Sequence, residues 1–166
     1  MWEYGNMGMQ TLTHSHIQEL THSRIFIVGL EKYDIKILLV LLKSISGRKD
    51  FFKWLLENGY PELAAFSNAI RGDIDAMKWL FMHNYQWLAI LSNAIDGEEK
   101  ARQWIAKATH QCNLMFALAC REDGDAIKWL MDNDLQIFIL MAKEVATVLD
   151  TQALENKGPY VLHYNY

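Results

Sequence analysis

The apolar positions of this chain keep a beat of twenty-five residues. Trp54, Trp79, Trp104 and Trp129 each stand twenty-five apart, and each is followed by an apolar residue: Leu55, Leu80, Ile105 or Leu130. Three residues before them lie Phe51, Ala76, Ala101 and Ala126. The stretch DAMKWL at 75–80 returns as DAIKWL at 125–130. Ser67, Asn68, Ala69 and Ile70 return as Ser92, Asn93, Ala94 and Ile95. Gly47, Gly72 and Gly97 share the interval; in the fourth unit Glu122 takes that column and the glycine slips to Gly124. Independent columns with one period mark a repeat array. The units are 36–60, 61–85, 86–110 and 111–135.

Each unit holds two helical patterns. The second has apolar residues at i, i+3 and i+4, as in Ala76, Trp79 and Leu80, with polar residues mainly opposite. The first, as in LAAFSNAI or WLAILSNAI, is apolar almost all round, which predicts a helix buried on most sides. Gly and Asp between them suit a helix C-cap followed by an N-cap. Gly59 and Asn84 stand where a left-handed C-cap residue is expected after the second helix. The fold class predicted is all-α: a short right-handed α-solenoid of stacked antiparallel helix pairs, without β-hairpins, closed by degenerate terminal caps. One domain is expected over 1–166, with an N-terminal cap at 1–35, four repeats at 36–135, and a C-terminal cap and tail at 136–166. The tail is expected to fold back over the last pair. The Trp column is read as the packing wedge between successive pairs.

Composition narrows the function. Of 166 residues, 51% are hydrophobic and 22% charged, which is globular and not disordered. A net charge of −4 argues against non-specific nucleic-acid binding, which depends on an excess of Lys and Arg. The start of the chain lacks a basic region and an apolar core, so no secretory leader is expected. No apolar run approaches a membrane span, so no membrane partner is expected. Cys112 and Cys120, on one helix, would lie about 12 Å apart, too far to bridge. A cytoplasmic protein is expected.

Candidate chemistry is sparse. His14, His16, Glu19 and His22 gather near the start. On a helix His14 and His16 point apart, and no further ligands are evident, so no metal is expected. Cys112 and Cys120 lie beside Leu114, Met115, Phe116 and Leu118 and read as core, not as nucleophiles. The RGD at 71–73 has its glycine explained by the turn. No phosphate-binding or nucleophile-elbow motif occurs, and no cofactor or catalytic residue is expected. The repeated polar residues of the first helices are the binding candidates: Ser67, Asn68, Ser92, Asn93 and Asn113. Asn is a poor helix former, so its repetition suggests either a buried ladder or a polar strip on the concave face. The units sum to +3, −1, 0 and −3 in charge, a gradient that would allow steering of a bipolar partner or weak self-association.

The unit LAAFSNAIRGDIDAMKWLFMHNY resembles the helical part of an ankyrin repeat: first helix, Gly-containing turn, and a K-W-L second helix with a small C-cap. The resemblance covers about 36–135. The chain lacks the Thr-Pro-Leu-His opening, and its period is shorter than the usual ~33 residues by the length of the β-hairpin finger. The resemblance implies a non-catalytic scaffold that binds a protein or peptide, here on the concave face. The alternatives are a nucleic-acid-binding helical repeat, or a metal-dependent enzyme using the His cluster.

Overall fold

The helices begin on the beat of the sequence. The structure, a computed structural model, describes residues 29–156. A single 3₁₀ turn (Leu30–Lys32) precedes α1 (Ile35–Ile45), α2 (Lys49–Glu57), α3 (Pro61–Ile70), α4 (Ile74–Met82), α5 (Gln86–Asp96), α6 (Glu99–Ala108), α7 (Gln111–Ala119), α8 (Gly124–Asp132) and α9 (Gln136–Asn156). No β-strand occurs among the described residues. The fold is all-α, a short helical solenoid in which odd-numbered first helices alternate with even-numbered second helices. The His14, His16, Glu19 and His22 group and the chain after residue 156 lie outside the described residues.

Local chemistry fixes the boundaries. Asp34, Asp73 and Asp123 cap α1, α4 and α8 by accepting amide hydrogen bonds from Lys36 (2.8 Å), Asp75 and Ala76 (2.9 and 3.1 Å) and Ala126 (2.8 Å). Pro61 occupies the first turn of α3, where no amide is needed. The first helices of all four units end alike. Arg48, Asp73, Glu98 and Asp123 donate their amides to the carbonyls of Lys43, Asn68, Asn93 and Leu118, at 3.0–3.3 Å. That bond needs a left-handed residue just before the donor. Gly47, Gly72 and Gly97 supply it at φ 86°, 85° and 100°, and Glu122 is forced into it at φ 61°. Gly59, Asn84 and Asp134 do the same after the second helices. The third unit departs: Thr109 is extended, and His110 instead caps α7 through Nδ1, which accepts from the Cys112 amide at 3.3 Å.

The first helices form a ring. Each packs on the next, and α9, the fifth in the series, packs on both α7 and α1. Three sets of equivalent residues from these five helices are sealed. One is Leu38, Leu63, Leu88, Asn113 and Phe138; the next is Leu41, Phe66, Leu91, Phe116 and Met141; the third is Ile45, Ile70, Ile95, Cys120 and Val145. Every member is at most 2% exposed. Second helices cannot account for this, because they too lie at the periphery: α2 and α4 bury only Leu55 and Leu80. The first helices therefore converge on one another around a common core, with Phe116 and Phe138 in edge-to-face contact at 5.8 Å. Leu30, fully buried, closes one mouth of the ring against Asn113. Gln152 of α9 reaches the Ile70 carbonyl at the other, at 3.4 Å.

Two expectations are corrected here. The inner face of the first helices is the core and not an open concave surface. The packing wedge of each second helix is the residue after the tryptophan: Leu55, Leu80, Ile105 and Leu130 are all 0% exposed. Trp54 and Trp104 are 39% exposed, and Trp79 and Trp129 are half-buried on the flank of the contact.

Candidate functional site

The five polar candidates separate into two groups. Ser67, Ser92 and Asn113 are completely buried, while Asn68 and Asn93 are half-buried. Ser67 Oγ donates to the Ala64 carbonyl (2.8 Å), so the 2.7 Å contact between Ser44 and Ser67 has Ser44 as donor. This bond joins α1 to α3. In the next unit the Ser44 position is Ala69, and Ser92 Oγ has no hydrogen-bond partner among the described residues. Asn113 Oδ1 accepts the Leu30 amide at 3.1 Å. None of these three can meet a ligand in the folded state.

Asn68 and Asn93 face outward. On a helical wheel they share a strip with Pro61 and Ala65 on α3, and with Gln86 and Ile90 on α5. Apart from Asp96 at the end of α5, these are the positions of α3 and α5 left accessible, and the second helices flank them. The relation is direct in the first unit, where Val40 of α1 lines a shallow groove of about 260 Å³ with Asp50, Phe51 and Trp54 of α2. In this unit the tryptophan flank of the second helix faces the outward strip of its own first helix, and the shared period gives the other units the same register. The opposite flank carries Leu56, Phe81 and Met131, equivalent positions that are 48%, 49% and 58% exposed. The twenty-five-residue period joins these positions too, two residues after each tryptophan.

Aromatic residues gather where second helices hand over to first helices. Trp54 stacks on Tyr60 (6.3 Å, 10°), and Trp79 stacks on His83 (3.9 Å, 14°) and Tyr85 (6.2 Å, 7°). Tyr33 meets Tyr60 edge-on and donates to Glu62 Oε1 at 2.9 Å. Burial, and then the Glu62 charge, push the Tyr33 phenol well above its ordinary range. Lys32 lies over Tyr33 and Trp87 at 4.9 and 5.5 Å. The short segment 29–33 therefore runs across the starts of α3, α5 and α7, along the edge that the first helices present between units.

One cluster on that edge resembles catalytic chemistry in its residue types. Glu31 Oε1 lies 3.4 Å from His110 Nδ1, and Cys112 is next to both. Its geometry opposes such a use. Cys112 is fully buried, and burial, reinforced by Glu31, pushes its thiol up to about 12. Burial also holds the Cys120 thiol well above its ordinary value. Among the described residues no group of His, Cys, Asp and Glu is arranged to hold a metal ion, and no helix is long and apolar enough to cross a membrane. Comparison of the chain with protein-family models, with curated proteins and with solved structures gives no match.

Proposed function

We propose that this protein is a non-catalytic, ankyrin-like helical-repeat scaffold that binds a protein or peptide partner through the outside of its ring. The observation that carries this is the exposed apolar column of the second helices, Leu56, Phe81 and Met131, set in register against a completely buried inner face. A repeat protein that needed only to fold would gain nothing from large apolar side chains at equivalent exposed positions, whereas a docking surface requires them. Asn68 and Asn93 add fixed polar groups beside that surface. Two buried thiols that form no disulfide suit the cytoplasm.

The test is affinity capture from an extract of the source cells, with the full chain as bait. A partner enriched by the natural protein should be lost from a variant carrying Leu56→Ser, Phe81→Ser and Met131→Ser, and retained by Ser92→Ala. Equal capture by all three baits would refute an outer docking surface.

A further inference from the structure

The outward grooves between second helices differ in chemistry, and one of them is set apart by charge. On the tryptophan flank of each second helix, two positions lie one turn before and one turn after the indole. They read Asp50 and Glu57 on α2, Asp75 and Met82 on α4, and Asp125 and Asp132 on α8, but Lys100 and Lys107 on α6. The sign reverses at α6 alone. Neither lysine has an ion-pair partner among the described residues; Lys53, Lys78 and Lys128 on the other second helices are each paired with a carboxylate of their own helix, and Lys49, at the start of α2, is not.

Lys100 stands in the position of Asp50, which lines the groove of the first unit, and the residues around it are apolar. α4 and α6 both sit on α5. Ile90 is half-buried on the outward strip of α5. By the register of the first unit, where Val40 and Trp54 line one groove, Trp104 at 39% exposure stands beside Ile90, and Ile74 and Phe81, on the flank of α4 opposite Trp79, are 55% and 49% exposed. The equivalent groove between α6 and α8 has Ala106 in place of Phe81, and Asp125 and Asp132 in place of the lysines. An apolar trough between two helices accepts a third helix by its apolar stripe. Two unpaired lysines along one rim select carboxylates on the flank of that helix.

We infer that the groove over α5, between α4 and α6, is the docking site for an acidic amphipathic helix of a partner protein. This rests on the scaffold function proposed above and names its partner chemistry. Burial of Trp104 and Phe81 supplies most of the affinity, and the lysines supply the choice of partner.

The experiment uses two synthetic peptides about four turns long. Both carry Leu at helical i, i+3, i+4 and i+7 spacing and a benzophenone at one end; one has Glu on its flanks and its twin has Lys. Fluorescence anisotropy against the full chain should show the Glu peptide binding at least about tenfold tighter than its twin. Phe81→Ser should weaken it by a similar factor, with the melting temperature unchanged. Lys100→Glu combined with Lys107→Glu should invert the order of the two peptides. Photo-cross-links should map to α4 and α6. Failure of the Glu peptide to bind, indifference to peptide charge, cross-links elsewhere, or self-association of the chain through Phe81 in sedimentation would each overturn the inference. The two proposals fail separately. If a captured partner survives the lysine reversal but not the outer-column variant, the acidic-helix assignment is wrong and the scaffold function stands. If neither peptide binds and capture is indifferent to every variant, both are wrong.

Discussion

The Leu30 amide donates to Asn113 Oδ1 across 83 residues of chain, at 3.1 Å and without solvent exposure. Asn113 stands in a set whose other members are Leu38, Leu63, Leu88 and Phe138. The one polar member sits where the 3₁₀ turn covers one mouth of the ring and brings a backbone N–H into an apolar site. Asn113→Leu restores the apolar set but orphans that amide. It should destabilise the protein by about 1–3 kcal/mol in urea unfolding. A stability equal to that of the natural protein would show that the mouth is wet and Leu30 is not its plug.

Glu122 holds a left-handed backbone in the column where the other units have glycine. A side chain in that conformation costs roughly 1 kcal/mol, and glycine relieves it. Glu122→Gly should therefore stabilise the fold by about 0.5–1 kcal/mol. Gly72→Ala, at φ 85°, should cost a similar amount. Paired thermal melts of the two variants check both signs.

In every second helix the fully sealed contact with the ring is the residue after the tryptophan, with the tryptophan on its flank. Leu80→Ala should cost about 2–5 kcal/mol, and Trp104→Ala, at a residue 39% exposed, should cost less, roughly 1–2 kcal/mol. Denaturant titration of the two variants decides whether leucine or tryptophan is the wedge; the reverse order of losses would restore the tryptophans to the core.

The repeat, its helix pairs and the left-handed caps at Gly59 and Asn84 were legible because each depends on residues within one unit. Hydrophobic spacing also marked the contact face of the second helices, but it could not separate its centre from its flank. Trp79 and Leu80 both fit an apolar stripe, and only the peripheral seat of α4 shows that the smaller residue is central. Ring closure was not legible. It depends on α9 reaching α1, a contact between residues about a hundred apart that leaves no periodic trace. With the ring open, Ser67, Ser92 and Asn113 fit either a buried ladder or a surface strip. With it closed, all three are interior, Ser67 and Asn113 hydrogen-bonded and Ser92 sealed without a partner among the described residues, and only Asn68 and Asn93 keep an outward aspect.

Alkaline pH should loosen the structure. In the unfolded chain the Cys112 thiol ionises near its ordinary value of 9.0, but in the fold it holds its proton up to about 12. Between those values the unfolded state has released a proton that the folded state keeps. Its contribution to stability is fully present below pH 9 and falls as pH rises toward 12. Tyr33, shifted upward by burial and Glu62, acts in the same direction. Urea midpoints measured from pH 8 to 11 should fall, and less steeply in Cys112→Ala, when each is compared with its own value at pH 8 (about one unit below the ordinary thiol range).

The most direct test of the closed ring uses methionines already in the chain. Met141 is a fully buried member of the ring core, whereas Met82 and Met131 are 72% and 58% exposed on the second helices. Dilute peroxide followed by peptide mass spectrometry gives the oxidation rate of each sulfur under native conditions. A closed ring predicts that Met82 and Met131 oxidise at least roughly tenfold faster than Met141. Oxidation of Met141 at the rate of Met82 would mean that the inner face is open to solvent, and the outer surface would lose its claim to be the docking face.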